Sequence, residues 1–225
     1  MFTISLVSQK GGTGKSTILL GLAVAAARAG HDVAVIDVDP QATAANWKDR
    51  RTEENPAVVS AQASRLRQTL EVARENGVEY VFIDTAGRLD DAALNAVRMS
   101  NLVLTPTRPN IAEVETLPKV KDMITLAGNP PTFVLLNGIA PTATTAVRDV
   151  QSAIRELYGL ECCPVHICQR NAYVDCLVTG NAPQEMDAEG KAADELTRLF
   201  QFVCEFVNKG DKKDGLEIRR HAETA

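Results

Sequence analysis

Short apolar runs alternate with longer amphipathic segments along this chain. FTISLV, DVAVID, AVVSA, YVFID, LVLTP, TFVLLN and CPVHI each read as a strand, and helical patterns fill most of the gaps between them. Within these runs apolar residues stand on consecutive positions rather than alternate ones, which marks strands covered on both faces. The alternation predicts an α/β fold, a mostly parallel twisted sheet with helices on both faces, in a single domain over residues 1–208. The first helix is expected to start inside SQKGGTGKST and run through ILLGLAVAAARAG to a stop at Gly30. Ser64 is the expected cap of RLRQTLEVAREN, which Gly77 ends, and Thr144 or Thr145 opens a helix that closes at Gly159. The last strong helix, EGKAADELTRLFQFVCEFVNKG, gathers leucine, phenylalanine and valine on one face. Beyond Gly210 no core pattern continues, so residues 209–225 are expected to form a polar, flexible tail.

Composition narrows the class without naming a function. With 225 residues, 45% hydrophobic and 24% charged, the chain can bury one substantial core and is neither disordered nor fibrous. A net charge of −5 argues against a uniformly basic nucleic-acid binder, so any DNA contact has to be local. No apolar stretch approaches the roughly 18 to 20 residues of a membrane span, and MFTISLVSQK lacks the pattern of a signal peptide; the cytoplasm is the expected location. The five cysteines include no CxxC pair, and Cys162, Cys163 and Cys168 are read as reduced thiols rather than disulfide or metal partners.

The stretch SQKGGTGKST is where chemistry enters. A phosphate chain needs many donors and little steric bulk, and a strand, a glycine loop and a helix N-terminus supply both. Gly14, Lys15 and Ser16 form the GK[ST] end of such a loop, with Lys15 directed at the β and γ phosphates and the Ser16 hydroxyl at Mg²⁺. The general pattern GxxxxGK[ST] asks for glycine at position 9, where this chain has Gln9. VIDVDPQ sets Asp37 and Asp39, and YVFIDTAG sets Asp84, at the ends of predicted strands, the edge at which open α/β sheets bind ligands.

KGGTGKS resembles the deviant Walker A loop of the ParA/MinD family of ATPases, a branch of the P-loop NTPases. The resemblance implies ATP and Mg²⁺ as cofactors, with Lys10, Gly11, Gly12, Thr13, Gly14, Lys15, Ser16 and Thr17 binding the nucleotide. It implies that Lys10 reaches across an ATP-dependent homodimer to the partner's nucleotide, and that Asp39 positions the attacking water. Asp37 and Asp84 then join Ser16 in the Mg²⁺ shell, with Gly87 in a γ-phosphate sensor. LVLTPTRPN resembles the family's third motif, with Pro106 and Pro109 shaping the turn towards the nucleotide. Asn137, after VLLN, takes the place where several relatives read adenine, and ICQRNAYVDCLVTGNAPQE matches a pattern in which Arg170 precedes a helix and Gly180 follows it. Trp47, the only tryptophan, is expected to pack in the core.

Within the family, the last helix has too few basic residues for a membrane surface, so its apolar face is assigned to the core. No helix-turn-helix region precedes the loop, as in small partition ATPases that leave operator binding to a separate partner. The expectation is therefore a partition ATPase that hydrolyses ATP, binds non-specific DNA as the ATP dimer, associates with the nucleoid and segregates a plasmid or chromosome with a ParB-type partner. Candidate DNA contacts are Arg148, Arg155, Arg170, Arg219 and Arg220. The alternatives are a MinD-like positioning or accessory ATPase, or an ATP-dependent biosynthetic enzyme of the same branch.

Overall fold

The computed structural model describes the backbone of residues 1–222, and the side chains of these apart from 144–146 and 209–222. Strands β1 (Phe2–Leu6), β2 (Val33–Asp37), β3 (Ala57–Ser60), β4 (Tyr80–Asp84), β5 (Leu102–Thr107), β6 (Thr132–Ile139) and β7 (Ile167–Cys168) make one seven-stranded sheet. Their order is β3-β2-β4-β1-β5-β6-β7, and every pairing is parallel. The predicted α/β class holds. The chain winds to one side of β1 through β2, β3 and β4, then crosses to the other through β5, β6 and β7. A crevice therefore opens beyond the carboxyl end of β1.

Each central strand is apolar on both faces because each face meets helices. Ile4, Leu6, Val35, Phe82, Leu104 and Leu135 point to one side, where α1 (Lys15–Arg28) and α10 (Lys191–Ala222) cover them. Ile36, Val81 and Ile83 point to the other, against Leu66 and Leu70 of α3 (Leu66–Glu75) and Ala96 of α4 (Asp91–Arg98). On that side Val103 meets α6 (Leu117–Leu126), and Val134 and Leu136 meet α7 (Thr144–Tyr158). α1 has no polar face from Ile18 to Ala26, as a helix wedged between sheet and α10 requires. A Cβ at Gly21 would come within 2.5 Å of Leu196 Cδ1, so glycine sets the distance between those two helices. Four short helices complete the chain: α2 (Thr43–Lys48), α5 (Ile111–Val114), α8 (Ala172–Thr179) and α9 (Pro183–Met186).

Three local expectations change. CPVHI is not the seventh strand: Pro164 has no ladder donor, and β7 begins only at Ile167, with a separate parallel bridge from Val134 to Cys162. Ser64 does not cap α3; it lies in a single 3₁₀ turn, Ala63–Arg65, that leads into the helix without a side-chain cap. The last helix passes Gly210 and continues to Ala222, so the backbone of the expected tail is helical that far. Its two glycines, Gly210 and Gly215, each cost a helix only about 1 kcal/mol, and no proline follows to stop it. Residues 223–225 lie outside the described residues.

Candidate nucleotide site

Sheet register brings the acidic strand ends to the loop. Asp37 pairs in register with Asp84, and Asp84 with Leu6, the last residue of β1. Val7 to Gly14 then curl back over this edge into α1. Gly12 (φ +75°) and Gly14 (φ +93°) adopt the left-handed conformation that glycine takes without strain. No side chain caps the first turn of α1, which leaves its amides for an anion.

The loop is held from inside by its own hydroxyls. Ser8 Oγ donates to Lys10 O at 2.8 Å, so it accepts from Lys15 Nζ at 3.2 Å and from Thr13 Oγ1 at 2.9 Å. From outside, Arg108 Nη2 donates to Gly12 O at 2.7 Å and Asn137 Nδ2 to Thr13 O at 2.6 Å. The Lys10 ammonium donates to Ala112 O, at the start of α5. On the remaining side, a Cβ at Gly87 would lie 2.6 Å from the Gly11 backbone, so the segment after β4 rests directly on the loop.

Lys15 is buried. Desolvation lowers its pKa, and the carboxylates of Asp84 and Asp39 offset part of that effect. Asp84 is fully buried and neither of its oxygens completes a hydrogen bond of good geometry. Burial raises its pKa to about 7, although the nearby Ser16 hydroxyl and Lys15 ammonium favour the charged form. A buried carboxylate without partners costs several kcal/mol, and a cation is its natural complement. Among the described residues no three His, Cys, Asp or Glu side chains gather as a metal cluster. Asp84 and the Ser16 hydroxyl, completed by phosphate oxygens and water, make the hard oxygen set that Mg²⁺ prefers. The residues present fit a magnesium-bound polyphosphate.

Asp37 is differently employed. Its Oδ1 accepts from the Asp39 amide at 3.0 Å, and its Oδ2 from the Ala44 and Ala45 amides at 3.0 and 3.1 Å. It therefore caps α2 from the end of β2, a task that draws both oxygens away from direct metal contact. Burial raises its pKa while those three amides oppose the rise. Among the described residues the Asp39 carboxylate accepts only from the Gln41 amide, at 2.9 Å to Oδ1.

Two clefts meet at the loop and share Gly12, Gly14 and Thr17. The first, of about 450 Å³, is lined by Lys15, Ser16, Asp39, Thr43 and Gly87. The second, of about 400 Å³, is lined by Arg108, Asn137, Arg170, Tyr173 and Leu177. Phosphates fit the first and a base the second. Asn137 lines the second cleft, and its amide nitrogen is committed to the loop. Pro106 pairs with Leu135 inside the sheet and lines neither cleft. Arg108, given no role in the sequence reading, lines the second cleft and bonds the loop at Gly12 O; the signal was its place as the one basic residue within LVLTPTRPN. Trp47 is fully buried, as expected.

Three of the five arginines expected on DNA have described side chains, and their surroundings differ. Arg148 is exposed on α7, and Arg155 pairs with Glu161. Arg170 donates from Nε and Nη2 to the buried Glu195, which Tyr173 also bonds, so it is spent inside the fold. The side chains of Arg219 and Arg220 lie outside the described residues.

Gly14 offers a direct check of the loop. An added Cβ would stand 2.3 Å from Asn137 Nδ2, in a left-handed conformation that costs a non-glycine residue about 1–2 kcal/mol. Gly14→Ala is expected to weaken ATP binding at least about tenfold by calorimetry, a factor that corresponds to 1.4 kcal/mol. Unchanged affinity would mean that Asn137 yields freely.

Comparison with known proteins agrees with this geometry. Residues 4–183 match a family described as the CobQ/CobB/MinD/ParA nucleotide binding domain. Maintenance of carboxysome distribution protein A of Halothiobacillus neapolitanus is 27% identical over 211 residues, 90% of this chain and 96% of that protein. Chromosome-partitioning ATPase Soj of Thermus thermophilus is 27% identical over 199 residues, 69% of this chain and 76% of that protein. In fold, the chain resembles the septum site-determining protein MinD of Pyrococcus horikoshii, solved with Mg-ADP. The TM-score is 0.71 at 18% identity, covering 92% of this chain and 97% of that one.

Proposed function

Since the chain belongs to the CobQ/CobB/MinD/ParA nucleotide-binding family, we propose that it is a magnesium-dependent ATPase that works as an ATP-driven switch on DNA. The observation that carries the ATPase reading is Asp84: two bare, buried carboxylate oxygens facing Ser16 and Lys15 beneath an uncapped helix start. Bound there, Mg²⁺ would neutralise phosphate charge. Lys15 and the loop amides hold the β and γ phosphates, Ser16 and Asp84 hold the metal, Asp37 supports it through the α2 turn, and Asp39 orients the attacking water.

Two subunits clasp two nucleotides in this reading, each lending Lys10 to the other. In the single chain the Lys10 amine rests on Ala112 O, so it swings off α5 to make that contact. Hydrolysis removes the γ-phosphate that held the pair together. The dimer binds non-specific DNA, in the cytoplasm and on the nucleoid, and moves a cargo through a separate partner protein of the ParB type.

The relatives support a positioning role and differ in cargo. One is named for chromosome partitioning, and one that spans nearly the whole chain is named for carboxysome distribution. A plasmid or chromosome is the proposed cargo, and a protein assembly the second reading. A membrane matrix has less support: among the described residues no helix is long and apolar enough to cross a bilayer, and Leu196, Leu199, Phe200 and Val203 of α10 are buried in the core.

The test is retention of the protein on DNA of arbitrary sequence with ATP, with ADP and without nucleotide, over a salt series. Retention is expected only with ATP, with log affinity falling linearly against log salt concentration. Equal retention in all three states rejects the switch. A protein that sediments as a monomer with Mg-ATP rejects the sandwich.

A further inference from the structure

Behind the two clefts, the end of α2 is fastened to the end of α8. Trp47 Nε1 donates to Asn181 O at 2.8 Å. Arg50 donates from Nε and Nη2 to Leu177 O, at 3.1 and 2.8 Å. Arg51 donates to Gly180 O at 3.2 Å and, through Nη1 and Nη2, to both oxygens of Glu185 at 2.8 and 2.7 Å. Its guanidinium carbon lies 4.7 Å from the centre of the Trp47 ring, and its side chain is only 2% exposed. Two cations thus sit on the carbonyl end of a helix, where the dipole favours them. Gly180 lets the backbones touch: at φ +73°, a Cβ there would meet Arg50 C at 2.5 Å.

The two fastened elements reach different clefts. α8 contributes Tyr173, Val174 and Leu177 to the second cleft. α2 opens at Thr43 in the first cleft, and Asp37 holds both its opening amides and the amide of Asp39. Leu177 belongs to both arrangements, with its side chain in the base-side cleft and its carbonyl on Arg50. Packed, hydrogen-bonded elements move as rigid pieces, so a shift of α8 carries α2 and the Asp39 turn with it.

We propose that Arg50 and Arg51 are positioning residues that couple the base-side cleft to Asp39: a purine seated against α8 sets α2, and α2 sets the carboxylate that orients the attacking water. This rests on the ATPase reading above. Neither arginine lines either cleft. The coupling makes the enzyme selective in turnover, since a triphosphate without a base fills the first cleft but does not set α2.

The experiment compares Mg-ATP with Mg-tripolyphosphate, which carries the phosphates alone. It uses the wild type and Arg50→Ala, Arg50 being exposed and the Arg51–Glu185 pair remaining to hold the fold. Trp47 is the only tryptophan and lies in the joint, so its fluorescence reports α2 directly. In the wild type, ATP but not tripolyphosphate is expected to change Trp47 emission, with kcat at least about tenfold higher on ATP, or 1.4 kcal/mol of differential stabilisation. In Arg50→Ala, the Kd for ATP should stay within about twofold, because no bond to the nucleotide is lost. The Trp47 response should weaken and kcat on ATP fall several-fold, while kcat on tripolyphosphate holds. Equal losses on both substrates, or a variant with unchanged kcat and emission, overturn the coupling. A wild type that binds ATP but hydrolyses neither compound defeats the ATPase reading, while the emission comparison still decides whether base-side binding reaches α2. A protein that does not bind ATP defeats both.

Discussion

Asp39→Ala is expected to bind ATP about as tightly as the wild type and to hydrolyse it about 10² to 10³ times more slowly, the range for loss of a positioned acid or base. The geometry separates these two properties. Asp39 lines the first cleft beside Gln41 and Thr43, and the only hydrogen bond to its carboxylate among the described residues comes from the Gln41 amide. The loop that grips phosphate is held by Ser8, Thr13, Arg108 and Asn137 and does not depend on Asp39. Asp84 and Ser16 remain to hold the metal. The variant should therefore accumulate as the ATP dimer, visible as a doubled mass in sedimentation with Mg-ATP and as DNA retention that persists for hours. Normal turnover would remove Asp39 from the reaction and leave the free oxygen of another cleft carboxylate to be found.

How far the sequence reveals this site depends on whether a residue works through local chain geometry or through distant contacts. The phosphate loop was legible because a strand, three glycines and a helix start are consecutive, and Gly12 and Gly14 take the positive φ that the loop requires. Apolar runs without alternation announced a sheet covered on both sides, and the two helical layers follow from it. Asp37 was placed correctly at a strand end but given too much to do. Its Oδ1 is used by the amide two residues on and its Oδ2 by amides seven and eight residues on, which depends on how sharply the chain turns after Val38. Arg170 read as a surface cation because Glu195, its partner, is 25 residues away in another helix. Arg108 and Asn137 act on the loop from 96 and 124 residues away, and only the strand order β1-β5-β6 brings them there. CPVHI misled for a local reason instead, its proline removing the strand that the apolar residues suggested.

Lys15→Ala should produce the largest change of all, a fall in ATP affinity of about 10² to 10⁴, with the fold retained. A charge-assisted hydrogen bond contributes roughly 1.5–3 kcal/mol, and an ammonium shared by two phosphates contributes about two of them. Lys15 is almost fully buried and already partly desolvated, which removes the competition from water that would weaken the same contact at a surface. The only hydrogen bond of its amine among the described residues is the long one to Ser8 Oγ, so the amine is available to a ligand. Losing it removes a cation that interacts with Asp84 and Asp39, which adds repulsion against an incoming triphosphate. Calorimetric titration with Mg-ATP measures the loss, and an unchanged circular dichroism spectrum separates it from unfolding. Lys10→Ala is the control that distinguishes the two loop lysines. Its amine reaches α5 rather than the base of the loop, so the monomer should still bind ATP while the dimer fails to form. If the two variants behave alike, Lys10 and Lys15 serve the same nucleotide, and the exchange of lysines between subunits falls.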